Sequence, residues 1–294
     1  MEAADFGDAL ECRETDPSDI PGYHPLDNDR ALRAWYLPEE GFIDARAWLA
    51  TLDAALENLA NVIRTPAGTL TALPAHGYRL DTPAGAFRAP HAVVAAGTWT
   101  TPILRTLDPD LPVVPVLAAA GTALTLVGRQ VLPAVNRPIT LDGHPVIGPT
   151  PKEGLWVASG THRDGLHTSP LIATTLADTL LTGAHTAAAL PGSFAAFTPC
   201  RPLITDLTRK EATAESAAHH AALAAEARMR PALTGAWPQM LADAYTELMD
   251  RAYAAMPDGY VPPPDLAPLA YEGSGSALAE LAAAHLDRHS AHFG

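Results

Sequence analysis

Trp156-Val157-Ala158-Ser159-Gly160-Thr161-His162-Arg163-Asp164-Gly165-Leu166-His167-Thr168-Ser169-Pro170 is the stretch whose reading decides the fold. A short apolar run predicts a strand, and two glycines with an arginine predict a loop. Thr168, Ser169 and Pro170 predict a helix start, because hydroxyls cap and proline is pre-set for a first turn. The helix is expected to run through Leu171-Ile172-Ala173-Thr174-Thr175-Leu176 to Leu181 and to stop near Gly183. Glycine lets the backbone press against a ligand, and a helix N-terminus offers unpaired N–H groups and a positive dipole end. Strand, close-approach loop and helix start can make a ligand site. Such turns also occur without one, so the pattern alone leaves both readings open.

The rest of the chain fits a mixed α/β protein. Its 294 residues can bury a sizeable core, and 48% hydrophobic with 18% charged residues describes a globular chain. The 28 prolines imply many loops. A net charge of −14 argues against nucleic acid or an anionic membrane surface as partner, since no basic patch is there to displace counterions. Cys12 and Cys200 are too few for a disulfide framework. The acidic start Met1-Glu2-Ala3-Ala4-Asp5 does not read as a signal peptide, and no apolar run approaches the ~20 residues that span a bilayer. A cytoplasmic location is the expectation.

In chain order, Asp16-Pro17-Ser18-Asp19-Ile20-Pro21-Gly22 is loop chemistry, and Ala34-Trp35-Tyr36-Leu37 a short strand. After the turn Pro38-Glu39-Glu40-Gly41, Asp44 is expected to cap a helix with Ala47, Trp48, Leu52, Ala55, Leu56 and Leu59 on one side. Tyr78-Arg79-Leu80-Asp81-Thr82 and Ala86-Phe87-Arg88 flank a hairpin turn at Pro83-Ala84-Gly85. His91 to Gly97 reads as a buried strand ending at glycine, and Val113–Leu117 and Thr122–Val127 as further strands. Beyond Gly183 the character becomes helical: helices are expected near 208–230, 238–256 and 277–289. This suggests two parts, residues 1–190 and a helical extension at 191–294.

Four blocks then stand in one order: Leu37-Pro38-Glu39-Glu40-Gly41-Phe42-Ile43-Asp44, Val93-Val94-Ala95-Ala96-Gly97-Thr98-Trp99, Arg137-Pro138-Ile139-Thr140-Leu141-Asp142-Gly143-His144-Pro145-Val146-Ile147-Gly148, and the opening stretch. Together they resemble the flavin-dependent D-amino-acid oxidase superfamily, nearest its glycine-oxidase-like members, over roughly Leu32 to Gly183. The resemblance implies the C-terminal portion of that α/β (α+β) fold, with a mixed or antiparallel sheet. It implies noncovalent FAD, since the region has no tethering cysteine, and oxidation of a C–N bond of an amine or amino acid by hydride transfer. Arg137 matches the arginine that pairs with a substrate carboxylate, a task suited to a planar fork of donors. Arg163 matches an arginine near ring and substrate; a surface pair with Asp164 is its other reading. Gly165, Leu166 and His167 match the turn whose amides face the flavin. Val62, Gly97, Thr98, Trp99, Gly160 and Asp164 are the remaining positions the resemblance assigns to the cofactor.

Two departures matter. No strand followed by G-x-G-x-x-G precedes Asp16, and Gly273-Ser274-Gly275-Ser276 near the other end reads as a helix-capping linker. Only about ten residues separate Val127 from Arg137, where relatives build the pocket wall. The expectation is a flavin-ring and substrate-side portion needing a nucleotide-binding part, supplied for example by a partner chain. The alternative is a scaffold subunit that keeps the fold without binding flavin. His285, His289 and His292 share a helix face, read here as a fraying tail and not a metal site, and His219-His220 likewise.

Overall fold

The computed structural model describes residues 13–19, 34–36, 43–66, 68–74, 76–121, 135–183, 186, 189–226, 237–271 and 274–293. Contacts divide the chain into two compact units, Met1–Arg64 and Thr65–Gly294. The expected strand at Thr122–Val127, the turn at Pro38–Gly41, Cys12, Gly273 and the side chains of His219 and His220 lie outside the described residues.

In the first unit, β1 (Arg13–Thr15) pairs antiparallel with β2 (Ala34–Tyr36). Helix α1 (Ala45–Glu57) starts where Asp44 predicts, its carboxylate accepting the amides of Arg46 at 3.0 Å and Ala47 at 3.1 Å. The apolar stripe is present in sequence, yet no residue of α1 is buried.

The second unit begins with a three-stranded antiparallel sheet of β3 (Thr69–Ala72), β4 (Tyr78–Thr82) and β5 (Gly85–Ala89), the last two joined by the expected hairpin. Next come β6 (Ala92–Val94), a 3₁₀ turn over Gly97–Trp99 and α2 (Thr100–Leu107). The strand expected over 91–97 is shorter than its apolar run, and it is not buried throughout: Val94 is buried but Val93 is 47% exposed. A ribbon of β7 (Val116–Gly121) and β8 (Val135–Thr140) follows, with Ala119 opposite Arg137. β7 begins only after Pro115, which has no N–H to give a ladder; Val113 and Val114 are buried nonetheless.

The centre is β10 (Leu155–Ser159), parallel to β6 on one side and antiparallel to β9 (Val146–Pro149) on the other. Its side chains alternate between two cores. Leu155 and Val157 join Val94, Leu104, Val114, Leu141 and Val146, while Trp156 and Ala158 face Ile147, Leu176 and Phe194. This two-sided burial explains the unbroken apolar run in sequence. Covering the second face is α3 (Gly165–Leu181), closed by Gly183 at φ 72°.

Here a correction is needed. α3 starts at Gly165, a turn before the Thr168-Ser169-Pro170 signal, and Pro170 lies inside the helix. The bond Pro170 cannot donate would have gone to Leu166, and the Ser169 hydroxyl reaches that carbonyl instead at 2.8 Å.

After α4 (Gly192–Ala195), the helices α5 (Arg209–Glu226), α6 (Trp237–Ala254) and α8 (Gly275–Phe293) fall close to their expected places, and a short α7 (Ala267–Tyr271), not expected from the sequence, precedes α8. Met249 and Tyr253 of α6 pack with Ala212 of α5 and Ala267 of α7. Leu278 and Ala282 of α8 enter the core of Leu155 and Val157. His285 on α8 is fully buried, so the histidine face is packed core at that position and not a fraying end. No helix among the described residues is long and apolar enough to cross a membrane.

Candidate functional site

The end of β10 gathers three parts of the chain. Ser159 donates its hydroxyl to the Gly97 carbonyl at 3.1 Å, tying the Gly97–Trp99 turn to this strand. The amide of His162 donates to the Pro138 carbonyl at 2.8 Å, and Thr161 bridges Ile139, which brings β8 alongside. Gly160 sits at φ 77°, and a Cβ there would lie 2.5 Å from Thr140 Cγ2, so only glycine lets these segments approach.

Gly97, Thr98, Arg137, Gly160, Arg163, Asp164 and the start of α3 therefore belong to one neighbourhood. Gly97 has φ 55°, and an added Cβ would meet only Pro138 Cγ, at 3.9 Å. Trp99 turns its ring outward, 70% exposed. Val62 belongs to the first unit, its amide donating to Leu59 at 3.1 Å in a surface turn. Arg137 is half-buried and forms neither ion pair nor hydrogen bond among the described residues.

Arg163 pairs with Asp265 at 3.0 Å across 102 residues, and not with its neighbour Asp164. Asp164 instead accepts the amide and hydroxyl of Thr168 on its carbonyl at 3.1 and 2.7 Å. Its carboxylate provides no cap, so the amides of Gly165, Leu166 and His167 have no acceptor among the described residues. They leave the positive end of α3 open. The His167 side chain is exposed, its Nε2 3.7 Å from Asp164.

A cleft of about 610 Å³ opens beside this helix start. Thr161, His162, Arg163, Asp164 and Asp265 supply its polar side, and Ile147, Leu171, Ile172, Phe194 and Phe197 its apolar side. His162 has φ 49° and is the one non-glycine with positive φ among the described residues. Its imidazole is half-buried, and burial lowers its proton affinity below the ordinary histidine value. Asp265 pulls the other way, Arg163 and Arg137 add to the depression, and Asp164 opposes them.

Sequence reading missed His162, Asp265 and the two phenylalanines. His162 stood inside the opening stretch with no motif to single it out, while the others lie far from that stretch in the chain.

The turn after β8 is held from below. Asp142 is buried and accepts from Thr140 Oγ1 at 3.0 Å, Arg201 Nη2 at 2.9 Å and the Ile204 amide at 2.9 Å. His144 reaches Asp206 at 2.7 Å. The Asp142-Gly143-His144 turn is thus a brace for β8 and β9. Burial pushes the Cys200 thiol up to about 12, which disfavours the thiolate form.

Comparison with known proteins adds three findings. The family described as FAD dependent oxidoreductase, DAO, matches residues 3–136, which begins well before Leu32 and ends one residue short of Arg137. Among solved structures, glycine oxidase from Geobacillus kaustophilus is similar at 21% identity, covering 46% of this chain and 50% of that one, with TM-score 0.32. Glycine oxidase from Bacillus cereus ATCC 14579 is similar at 13% identity, covering 48% and 53%, with TM-score 0.32. The chain spans about half the length of these structures. None of the curated proteins matches.

Proposed function

We propose that the chain carries a DAO-type FAD-dependent oxidoreductase segment, a reading supported by the family match over residues 3–136, and that it forms the flavin-ring and substrate-facing part of an enzyme oxidising an amine or amino acid at its C–N bond. The observation that carries the reading is the open start of α3, where three successive amides have no acceptor among the described residues, in the neighbourhood of Arg137 and the Gly97 turn.

These residues fit an isoalloxazine. Gly97 leaves its own position free of a Cβ, and Gly160 allows the closely packed backbone that holds the turn in place. Bound flavin would supply the two-electron oxidant, accepting a hydride from the substrate carbon. Around it, the amides of Gly165, Leu166 and His167 stabilise negative charge where they point, which is electrostatic help requiring no reorganisation. Arg137 orients the substrate by its carboxylate. Phe194, Phe197, Leu171 and Ile172 keep one side of the cleft apolar.

The nucleotide end of FAD would be held by a part outside this constellation, which we assign to a partner chain. In support, β6 pairs only with β10 among the described residues, leaving its other edge open to main-chain pairing. The test is optical. The chain is purified alone and after co-expression with its neighbouring open reading frames, FAD is added, and visible spectra are recorded. A bound-flavin spectrum that bleaches anaerobically with an amino acid is expected. A preparation that stays colourless in both cases overturns the proposal.

A further inference from the structure

We infer that the groove beside β6 is a strand-acceptor site for one extended segment of a different polypeptide, apolar at alternate positions and acidic at an end; this rests on the partner-chain reading above.

The backbone of β6 supplies the first half of the site. The Ala92 amide donates to the Gly154 carbonyl at 2.9 Å, and the parallel register sets Ala92 opposite Leu155 and Val94 opposite Val157. Ala92 and Val94 thus spend their backbone groups on β10. A trans peptide unit points its N–H away from its C=O, so the N–H and C=O of Val93 and the N–H of Ala95 turn to the other side. Neither amide has an acceptor among the described residues, and both residues are exposed. What results is a row of main-chain donors and acceptors of the kind an added strand pairs with.

The three-stranded sheet supplies the second half. A groove of about 780 Å³ is lined by every residue of Ala92–Ala96, so it runs along the free edge. At about 3.3 Å per residue that edge spans roughly 17 Å, the length of a common strand. Leu70, Leu80 and Phe87 also line the groove, standing directly across from one another on β3, β4 and β5. Cross-strand partners share a face, and Ala89 joins them two residues beyond Phe87. Leu70, Leu80 and Phe87 are only half-buried, so this apolar face is incompletely covered. A segment pairing with Val93 and Ala95 lays every second side chain on that ladder.

Charge selects the occupant. His91 stands at the start of the edge and Arg88 on β5; both line the groove, and no carboxylate does. The chain as a whole carries −14, so a second copy brings repulsion where a different chain need not. An acidic end on the incoming segment meets the basic residues, and its apolar positions meet the sheet.

The test uses the full chain, labelled with nitrogen for amide exchange. The probe is a short peptide that alternates valine with threonine between terminal glutamates. Exchange at the Val93 and Ala95 amides is expected to slow by about tenfold or more when it binds, while Ala92 and Val94 are slow from the start. Val93→Pro deletes an outward amide and spares the ladder to β10, so it is expected to keep the fold and lose the peptide. The same peptide N-methylated along one edge tests the unaltered chain and is expected not to bind. Absence of binding, or equal binding of the N-methylated peptide, overturns the inference. So does protection of Val93 and Ala95 before peptide is added, whether in a monomer, where a segment of this chain holds the edge, or in a dimer, where a second copy does. Flavin is read separately from the visible spectrum on co-expression. Peptide pairing in a chain that stays colourless refutes the flavin reading and leaves the groove standing; flavin bound equally by the parent chain and Val93→Pro does the reverse.

Discussion

His162 and His285 are two imidazoles whose proton affinity burial lowers, and they differ in what surrounds them. His162 lines a cleft together with Arg163, Asp164 and Asp265. His285 lies sealed in α8, neither ring nitrogen having a hydrogen-bond partner among the described residues, with His289, Arg288, Arg105 and Arg201 adding to the depression. The first can exchange its state with a ligand. The second can change state only by loosening the fold. The comparison separates a group that faces a cleft from one the core merely tolerates.

The largest effect is expected on the sealed side. Arg201 is 6% exposed and rests on Asp142 at 2.9 Å. Asp142→Ala strands a buried guanidinium and is expected to cost about 3–5 kcal/mol in urea or thermal unfolding. It also removes acceptors from Thr140 and the Ile204 amide, so the brace under β8 goes with it. A loss below about 1 kcal/mol would mean that Arg201 is not truly out of water.

Next is the pH dependence set by His285, whose affinity falls from 6.5 to about 4, first through burial and then through His289 and the three arginines. The folded state binds fewer protons than the unfolded one between those values, so stability is complete above pH 6.5 and drains as pH falls toward 4. The loss is on the order of 3 kcal/mol, from ~1.4 kcal/mol per unit. His285→Leu keeps the volume and removes both orphan nitrogens, so it is expected to flatten this acid limb and leave pH 7 stability equal or higher. An unchanged acid limb in the variant would assign it to other groups.

On the open side, stability is expected to change little. His162→Asn keeps a residue that accepts positive φ, and its ring is only half-buried, so unfolding at pH 7 is expected to shift by less than about 1 kcal/mol. Because burial lowers the proton affinity of His162 as well, the acid limb of this variant is expected to flatten in the same direction as that of His285→Leu, by a smaller amount. A large destabilisation would put His162 with His285, as a packing residue.

The contrast also says what a sequence can disclose. β10 was legible because a central strand buried on both faces must be apolar throughout, and Leu155 and Val157 point one way while Trp156 points the other. The Asp44 cap was legible because its bonds are local. The face of α1 was legible as a stripe but not as burial, since burial depends on what comes to meet it. His285 was misread for the same reason: a polar residue near a chain end gives no local sign of a core assembled around Val114 and Leu155. The Arg163–Asp265 pair spans 102 residues, and nothing near Arg163 announces it. The catalytic assignments of Arg137 and of the α3 amides came from resemblance; the structure adds that they share a neighbourhood with His162.

The smallest predicted effect concerns the helix start itself. Thr168-Ser169-Pro170 looks like a cap because its chemistry suits one, yet the same residues perform another service one turn inside α3. Pro170 leaves the Leu166 carbonyl without its amide, and the Ser169 hydroxyl supplies a donor at 2.8 Å. Ser169→Ala removes that donor from a half-buried position, where water can replace it in part. The expected cost is about 0.5–1.5 kcal/mol, with faster amide exchange confined to the first turns of α3. Pro170→Ala in the same background restores an amide for Leu166 and is expected to recover most of the loss. If the pair of substitutions is simply additive, the hydroxyl is not compensating for the proline. The open amides of Gly165 to His167 would then owe their position to the Gly160 and Thr161 packing alone.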